Sequence, residues 1–382
     1  KFLRITICLG LLVGIVCSHE AWFPVYRSFP RVPFVFALPE NFVLLYEWLF
    51  SSILVISLIL IIFSRRPKIF LAVVISSLVL LAFFDYLRLQ PWTYQYLLIL
   101  AVFYWHDWET DGKSAGNQTL GLVQIIIAGL YIWSGVQKMN FTFSRELLPN
   151  LLMPLQNLFP SIHLPFQFLG IAIPLTESLI GCGLLFRGTR NLAVCLAVLM
   201  HSFVLTLLIV RDYNSIIWVW NFTLIFAVVF AFWRNPVSLR KTITSGKFTF
   251  VKLIVFAGVL LPILSFFGWW DMFLSGALYS GNVEIPVIRI NENVFEKLPP
   301  TAKSTVFQTK SGQQMLPLFE WSIADTNAPV YLEQRVFRQA AFEVCKLADD
   351  KNQVELIIRE RPSILDGNYK VIRNSCAELE NH

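Results

Sequence analysis

The hydrophobic and polar positions divide this chain into a long apolar part and a shorter mixed part. Apolar stretches long enough to cross a hydrocarbon layer of about 30 Å predict helices at 41–63, 69–88, 119–137, 166–186, 191–210, 213–233 and 250–268, with a weaker one at 92–107. Lys1 to Ser18 fits either a short first span or a cleavable signal peptide, and we favour the span. The pattern predicts an all-α polytopic membrane bundle of eight or nine transmembrane helices over residues 1–270.

The pattern changes after Gly268, where charges, turn residues and alternating apolar positions replace the long apolar runs. Val283 to Ile290 and Val354 to Arg359 alternate and are rich in β-branched residues, which predicts strands. Tyr331 to Leu347 is predicted as an amphipathic helix, with one apolar face formed by Val336, Phe337, Ala340, Ala341 and Val344. Residues 271–382 therefore form a predicted small extramembrane α+β domain.

Composition indicates that the chain lies in a membrane, and the distribution of charge indicates its orientation there. With 56% hydrophobic and 15% charged residues and a mean hydropathy of +0.61, the chain has the composition of a membrane protein. With the N-terminus inside, the inner segments hold twelve Lys and Arg residues and the outer ones six. Because basic residues accumulate on the cytoplasmic side, we expect a cytoplasmic N-terminus and a periplasmic C-terminal domain. The inner loops also account for the pI near 9.0, so no nucleic-acid partner is predicted.

Two of the six cysteines, Cys345 and Cys376, occur in the predicted outer domain. In an oxidising compartment they could form one disulfide that closes a loop of about 30 residues. The alternative is a pair of reduced, buried thiols, and the sequence leaves both open.

Ionisable residues interrupt the apolar stretches at Asp85, Lys138, Glu177 and His201. Such groups are costly in lipid, so each is a candidate functional residue once a partner is named. Glu177 lies ten residues before the turn that starts at Arg187, and His201 lies eleven after its end at Arg190. The two would face each other on adjacent antiparallel helices, either as an acid/base pair or as a structural pair.

A second group is predicted near the outer face, where Asp85 and Arg88 end one span, Trp92 and Gln95 open the next, and Lys138 ends a third. In a partly dry pocket Lys138 could act as a base. The plainer alternatives are a lysine that extends to the interface or an ion pair with Asp85.

The loop from Phe141 to Pro165 is long, apolar and interrupted by four prolines. It is predicted either to lie in the outer interface or dip into the membrane, roofing a lipid-accessible cavity, or to pack over the helix ends. Just before it, Asn140-Phe141-Thr142 matches a glycosylation acceptor, a pattern short enough to occur by chance.

Several of these segments together resemble a known family. Pro174-Leu175-Thr176-Glu177, then Leu185-Phe186-Arg187-Gly188-Thr189-Arg190, then His201 is similar to the order of Glu, basic and His residues in the HTTM superfamily, the membrane domain related to vitamin K-dependent gamma-carboxylase. Tyr131-Ile132-Trp133-Ser134-Gly135-Val136-Gln137-Lys138-Met139-Asn140 resembles that family's Gly-x-x-Lys-Leu-Asp/Asn segment. The resemblance covers roughly residues 40 to 280.

The resemblance implies an integral membrane protein that uses Lys138 as an outer-leaflet base toward a reduced quinone similar to vitamin K hydroquinone. It implies catalytic roles for Lys138, Glu177 and His201, and a cofactor site of Asp85, Arg88, Trp92 and Gln95. Gln95 stands where the carboxylase has a histidine, and glutamine cannot take up a proton. The resemblance therefore implies a quinone-linked carboxylase or oxidoreductase in a bacterial inner membrane. It implies a ligand cavity, whereas the glutamine at this position argues against full carboxylase activity.

Competing functions remain open at this stage. One is a non-enzymatic membrane scaffold whose outer domain binds a periplasmic protein or peptide, with the intramembrane charges locking helices together. A transporter is weakened by the lack of an inverted repeat in the sequence. No metal is predicted, because the five histidines are dispersed along the chain.

Overall fold

The computed structural model describes residues 1–34, 39–105, 112–161, 164–244 and 250–380, and the chain in these ranges is mostly helical. It forms two compact units. The first consists of Lys1–Val16, Ser52–Val79 and Pro91–Asn282, and the second of Cys17–Ser51, Leu80–Gln90 and Val283–His382. The division differs from the predicted boundary at residue 270, because two segments from the apolar part of the chain belong to the second unit.

The helices that precede the second unit's sheet follow the apolar pattern closely. They are α1 (Phe2–Cys17), α2 (His19–Trp22), α3 (Glu40–Phe63), α4 (Lys68–Phe84), α5 (Pro91–Trp105), α6 (Gly112–Lys138), α7 (Leu148–Leu151), α8 (Met153–Leu158), α9 (Phe166–Leu185), α10 (Arg190–Val210), α11 (Ser215–Phe232), α12 (Leu239–Thr244) and α13 (Phe250–Leu260). Short 3₁₀ turns cover Tyr86–Arg88 and Leu261–Phe267, and a π turn covers Phe143–Leu147.

Five helices within the described ranges are long and apolar enough to cross a membrane: Asn41–Phe63, Gly116–Lys138, Phe166–Leu185, Arg190–Val210 and Ser215–Phe232. Phe2–Cys17, Lys68–Phe84 and Lys252–Phe267 are apolar but shorter. The multi-pass membrane class is thus supported by five candidate spans, whereas the count of eight or nine is not confirmed.

The proline-rich loop after α6 packs its apolar side chains. Phe143, Leu148 and Leu152 are buried in one cluster with Leu207 of α10. Pro149 and Pro154 lie in the first turns of the short helices α7 and α8, where proline is tolerated because the backbone N–H groups of a first turn have no partner within the helix. The described part of this loop therefore packs against α10 within the first unit, whereas its place in or beside the membrane stays a prediction.

The second unit contains a five-stranded antiparallel sheet. Its strands are β1 (Ile285–Ile290), β2 (Phe307–Gln308), β3 (Gln314–Pro317), β4 (Val354–Arg359) and β5 (Val371–Ser375), in the order β2-β3-β1-β4-β5. The helices around it are α14 (Glu292–Lys297), α15 (Pro300–Lys303), α16 (Leu318–Thr326), α17 (Gln334–Cys345) and α18 (Cys376–Leu379), and a 3₁₀ turn covers Lys351–Gln353.

Alternation decides which face of this sheet is covered. Ile288 pairs with Leu316 on one side and with Leu356 on the other, and all three are fully buried. The five apolar residues predicted to share one face of α17 are also buried. The predicted α+β character, both predicted strands and the amphipathic helix of this region are therefore confirmed.

Residues 17–51 contribute directly to the second unit. The backbone N–H of Phe29 donates to Asp325 Oδ2 at 2.7 Å, and the Phe29 ring packs edge-on against Trp321 with 5.0 Å between ring centroids. These contacts explain why a segment from the apolar part of the sequence belongs with the sheet.

Candidate functional site

A row of polar side chains lies along one face of the apolar helix α6. Tyr131, Ser134 and Lys138 are three, four and seven residues apart, a spacing that puts side chains on the same side of an α-helix. Lys138 Nζ donates to Ser134 Oγ at 2.5 Å. The row therefore presents an ammonium group and two hydroxyls to the neighbouring helices.

Glu177 of α9 faces this row and pairs with Lys138. The Lys138 Nζ to Glu177 Oε2 distance is 2.9 Å and that to Oε1 is 3.1 Å, so the ammonium contacts both carboxylate oxygens. The side chains are 17% and 12% exposed. A nearly buried ion pair of this kind is kept by its own hydrogen bonds, because each charge alone would be poorly solvated there.

Small residues let α6 and α9 approach closely enough for this pair. A Cβ atom on Gly135 would meet the Pro174 carbonyl oxygen at 2.4 Å and the Ser178 nitrogen at 2.7 Å. Farther along, a Cβ on Gly181 would meet the Ala128 carbonyl oxygen at 2.8 Å. These backbone contacts set the depth at which Glu177 meets Lys138.

A second chain of hydrogen bonds begins at Tyr131. His201 Nε2 lies 2.5 Å from Tyr131 Oη, and His201 Nδ1 lies 2.8 Å from Asn221 Oδ1. An amide oxygen only accepts, so Nδ1 carries the proton and Nε2 accepts from the tyrosine hydroxyl of the neutral ring. Asn221 Nδ2 in turn donates to the Ile217 carbonyl. The chain thus has one direction, from α6 through α10 to α11.

The partners differ from those expected for Glu177 and His201. Among the described residues no hydrogen bond joins these two, because Glu177 is held by Lys138 and His201 is held by Tyr131 and Asn221. The three predicted catalytic residues are therefore held in two separate hydrogen-bonded groups, one around Lys138 and one around His201.

Gln95, predicted to bind a cofactor, lies on a narrow apolar cleft of the first unit. The cleft is lined by Gln95 and Leu98 of α5, Trp133 of α6 and Val259 of α13, among others. Gln95 Oε1 accepts from Trp220 Nε1 at 2.6 Å, whereas its buried Nε2 has no partner among the described residues. Gln95 therefore has one buried donor that is left without a partner in the described part of the chain.

Trp92, the other predicted cofactor residue of α5, is fully buried in the first unit. Its ring packs edge-on against that of Tyr96, one helical turn later, with 6.1 Å between the centroids. On α1, a Cβ atom added to Gly14 would lie 3.2 Å from the Trp92 ring. Trp92 thus packs in the helix core, and its assignment as a cofactor residue stays a prediction.

Asp85 and Arg88 belong to the second unit and have protein partners there. Arg27 pairs with Asp85 Oδ2 at 2.6 Å, and Arg88 pairs with Glu47 while also donating to the Ala21 and Leu81 carbonyls. The Asp85 and Arg88 side chains are only 1% exposed. This arrangement gives both residues a structural role, and their assignment as cofactor ligands stays a prediction.

Arg31 extends the same charged network, with its Nε 3.3 Å from Glu47 Oε2. Burial lowers the pKa of Arg31, and the nearby Arg27 lowers it further, whereas Glu47 and Asp85 raise it. The network is therefore a balance of close charges of both signs. The alternative partner considered for Lys138, Asp85, is the one paired here with Arg27.

Of the two states considered for Cys345 and Cys376, the disulfide is the one present, and it joins the end of α17 to the start of α18.

Asn140, in the glycosylation pattern, donates from Nδ2 to the Gln137 and Ser280 carbonyls, each at 2.8 Å. Because glycosylation modifies that nitrogen, Asn140 acts here as a structural residue.

Sequence reasoning missed Tyr131 and Ser134 as partners in this site. The available signal was their spacing relative to Lys138, which forms a polar stripe on an otherwise apolar helix. Asn221 of α11 makes a hydrogen bond between helices, with His201 of α10 as its partner.

Comparison with known proteins adds no relative: no protein-family model, no curated protein and no solved structure matches this chain. The resemblance to the HTTM superfamily stays a prediction from sequence motifs.

Proposed function

We propose that the first unit is a membrane-embedded enzyme that acts on a lipid-soluble quinone, as a quinone-linked carboxylase or oxidoreductase related to the HTTM superfamily. Lys138 is the proposed base, Glu177 its proton partner, and Tyr131 with His201 a second proton-handling pair. The observation that carries the proposal is the Lys138–Glu177 pair with its Ser134 contact, because two of the three predicted catalytic residues meet directly.

The ion pair supports base chemistry through a simple proton shift. Moving the proton from Lys138 Nζ to the Glu177 carboxylate, 2.9 Å away, leaves a neutral amine and a neutral acid. In surroundings of low polarity this neutral form becomes more accessible than it is in water. The free amine then takes a proton from a hydroquinone hydroxyl, and the resulting quinol anion is the reactive species.

The cleft beside Gln95 is the proposed site of the quinone. Its volume of about 50 Å³ holds only one or two water molecules, so the lining helices must separate to admit a quinone ring. Its apolar lining suits an isoprenoid or aromatic lipid, and the buried Gln95 Nε2, which has no partner among the described residues, is a donor for a hydroquinone oxygen once the cleft opens. Trp133 lines the cleft, and the next residue, Ser134, contacts Lys138. A ligand in the cleft would therefore lie against α6 on the face of Trp133, and the proposal requires its reactive hydroxyl to extend from there around the helix to Lys138, which is not part of the lining.

The setting that we propose is a bacterial inner membrane with a cytoplasmic N-terminus. Nine crossings arise if α5 and the three shorter apolar helices span together with the five long ones, and an odd number carries the chain from a cytoplasmic N-terminus to the periplasm. The second unit's C-terminal sheet domain is then periplasmic, where the Cys345–Cys376 disulfide is chemically favoured.

The test is consumption of vitamin K hydroquinone by the full chain in lipid nanodiscs. We expect Lys138→Ala to lower turnover at least about 100-fold, the usual contribution of a general base, while the exposed control Lys241→Ala retains activity. Turnover by Lys138→Ala at the rate of the unchanged protein excludes Lys138 as the base.

The scaffold is the second candidate, and the Arg27–Asp85 and Arg88–Glu47 pairs favour it, since they join segments of the second unit through side chains that are at most 1% exposed. Glu177→Gln and His201→Ala separate the two functions. Large losses of thermal stability with no response to any quinone support the scaffold. Retained stability with a lost quinone response supports the enzyme.

A further inference from the structure

The second unit carries a polar groove at one end of its sheet. The groove encloses about 490 Å³, and its lining includes Arg289, Glu292, Gln308, Gln313, Gln314 and Asn352. This volume lies within the range of about 300–1,000 Å³ that is common for small-molecule sites. Carboxamide side chains dominate the lining, unlike the apolar lining that is typical of such sites.

Gln314 is the buried residue of this groove. It begins β3, pairs with Ile290 of β1 and Gln308 of β2, and is 8% exposed. Its Nε2 donates to Glu292 Oε2 at 2.5 Å, while its Oε1 is buried and has no hydrogen-bond partner among the described residues. A buried carbonyl oxygen without a donor is unfavourable, so the groove lacks one hydroxyl or N–H group at this point.

The rim of the groove carries two further carboxamide groups that can bind hydroxyl groups. The side chains of Gln308 and Gln313 are exposed at the groove and have no hydrogen-bond partner within the described ranges. Each carboxamide offers a donor and an acceptor in one plane. A pair of adjacent hydroxyl groups matches that arrangement, because each hydroxyl can donate to the oxygen or accept from the nitrogen.

The lining of the groove holds one cation and one anion, Arg289 and Glu292, so its formal charges sum to zero. Arg289 also lies 3.3 Å from Glu355, and Glu292 accepts from the neutral amide of Gln314. A ligand therefore needs no net charge. From the buried unpaired acceptor, the carboxamide rim and this balance, we propose that the groove binds a neutral saccharide, with one sugar hydroxyl donating to Gln314 Oε1.

An extended peptide fits the groove less well. Strand addition needs a run of unpaired backbone groups with pockets for alternate side chains. The outermost strand here, β2, contains only Phe307 and Gln308, and the one aliphatic side chain of the lining, Ile290, is buried.

The experiment is saturation-transfer-difference NMR on the full chain in nanodiscs free of sugar-headed detergent. The probes are D-glucose, D-galactose, N-acetyl-D-glucosamine and maltose, each at millimolar concentration. We expect at least one probe to bind. Gln314→Met, which keeps the side-chain length but removes the acceptor, is expected to weaken that binding roughly tenfold or more, since a site built for a hydroxyl loses most when the pairing is lost.

The exposed Gln308→Ala variant guards against a folding defect in Gln314→Met. It is expected to weaken binding about two- to fivefold, consistent with the loss of one neutral hydrogen bond, without changing thermal stability. Gln339→Met on α17 is the matched control and is expected to bind as the unchanged protein does. Absence of binding by all four sugars overturns the proposal. So does binding that both Gln314→Met and Gln308→Ala leave intact.

Discussion

At the scale of single residues, the first unit handles its intramembrane polar groups by pairing them. Lys138 has Glu177 and Ser134, and His201 has Tyr131 and Asn221. Every one of these groups would be costly alone in lipid. Whether a pair also moves protons is a question that stability and activity measurements answer separately.

The coupling of Lys138 to Glu177 can be measured by a double-mutant cycle. We expect Lys138→Met and Glu177→Gln each to destabilise the protein, because each leaves the charge of its partner unpaired. The double variant removes both charges, so we expect it to lose less stability than the sum of the two single losses. The expected coupling is about 1–3 kcal/mol, measured by SDS unfolding titrations. Simple additivity would mean that the pair contributes nothing to stability.

The tyrosine hydroxyl should donate to the His201 nitrogen that the Asn221 contact leaves as the acceptor. Tyr131→Phe keeps the ring and removes the donor to Nε2, so we expect a loss of about 1 kcal/mol of stability and a changed ¹⁵N histidine spectrum. Tyr104→Phe on α5 is the control and should leave the His201 signals unchanged. Identical spectra for Tyr131→Phe and the unchanged protein would contradict the assigned hydrogen bond.

At the scale of elements, the close approach of α6 and α9 decides whether the site forms. Gly135 and Gly181 face backbone atoms of the other helix, so no side chain can move aside for a new methyl group. The packing is of the kind that small residues allow between membrane helices.

Glycine substitutions test this packing. Although alanine is the better helix former by about 0.5–1 kcal/mol, we expect Gly135→Ala and Gly181→Ala to be destabilising by about 1–3 kcal/mol because of overpacking. Gly188→Ala is the control, since nothing lies within 4 Å of its added Cβ. Equal thermal unfolding temperatures for Gly135→Ala and Gly188→Ala would show that the helices separate at low cost.

The disulfide links two elements of the second unit, α17 and α18. Replacing Cys345 and Cys376 together by serine removes a link between residues 31 positions apart, which should lower stability by roughly 2–4 kcal/mol. The measurement is thermal unfolding with and without reductant. We expect reductant to lower the unfolding temperature of the unchanged protein but not that of the double variant. An equal decrease in both proteins would show that reductant does not act through this disulfide.

At the scale of the whole molecule, the proposed orientation in the membrane predicts a labelling pattern. In a chain whose four free cysteines are replaced by serine, Leu365→Cys should react with an impermeant maleimide in spheroplasts with an intact inner membrane, and Arg66→Cys should not. Both positions are exposed on the protein, so permeabilised cells should label both. The reverse pattern in sealed spheroplasts would invert the proposed topology.

Much of the element level was available from the sequence. Runs of apolar residues predicted α9, α10 and α11 to within two or three residues, because a bilayer requires uninterrupted apolar helix. Alternation likewise gave the strand Val354–Arg359, since one face of the sheet is covered. These features depend on local spacing and on solvent alone.

The sequence by itself also determined which polar residues would need partners, namely Asp85, Lys138, Glu177 and His201. Only the tertiary structure decided who the partners are. Glu177 meets Lys138 because glycines set how α6 and α9 approach, and Asp85 meets Arg27 because a distant segment folds into the second unit. Solvation energy is a property of each residue, whereas pairing depends on the packing of helices far apart in the chain.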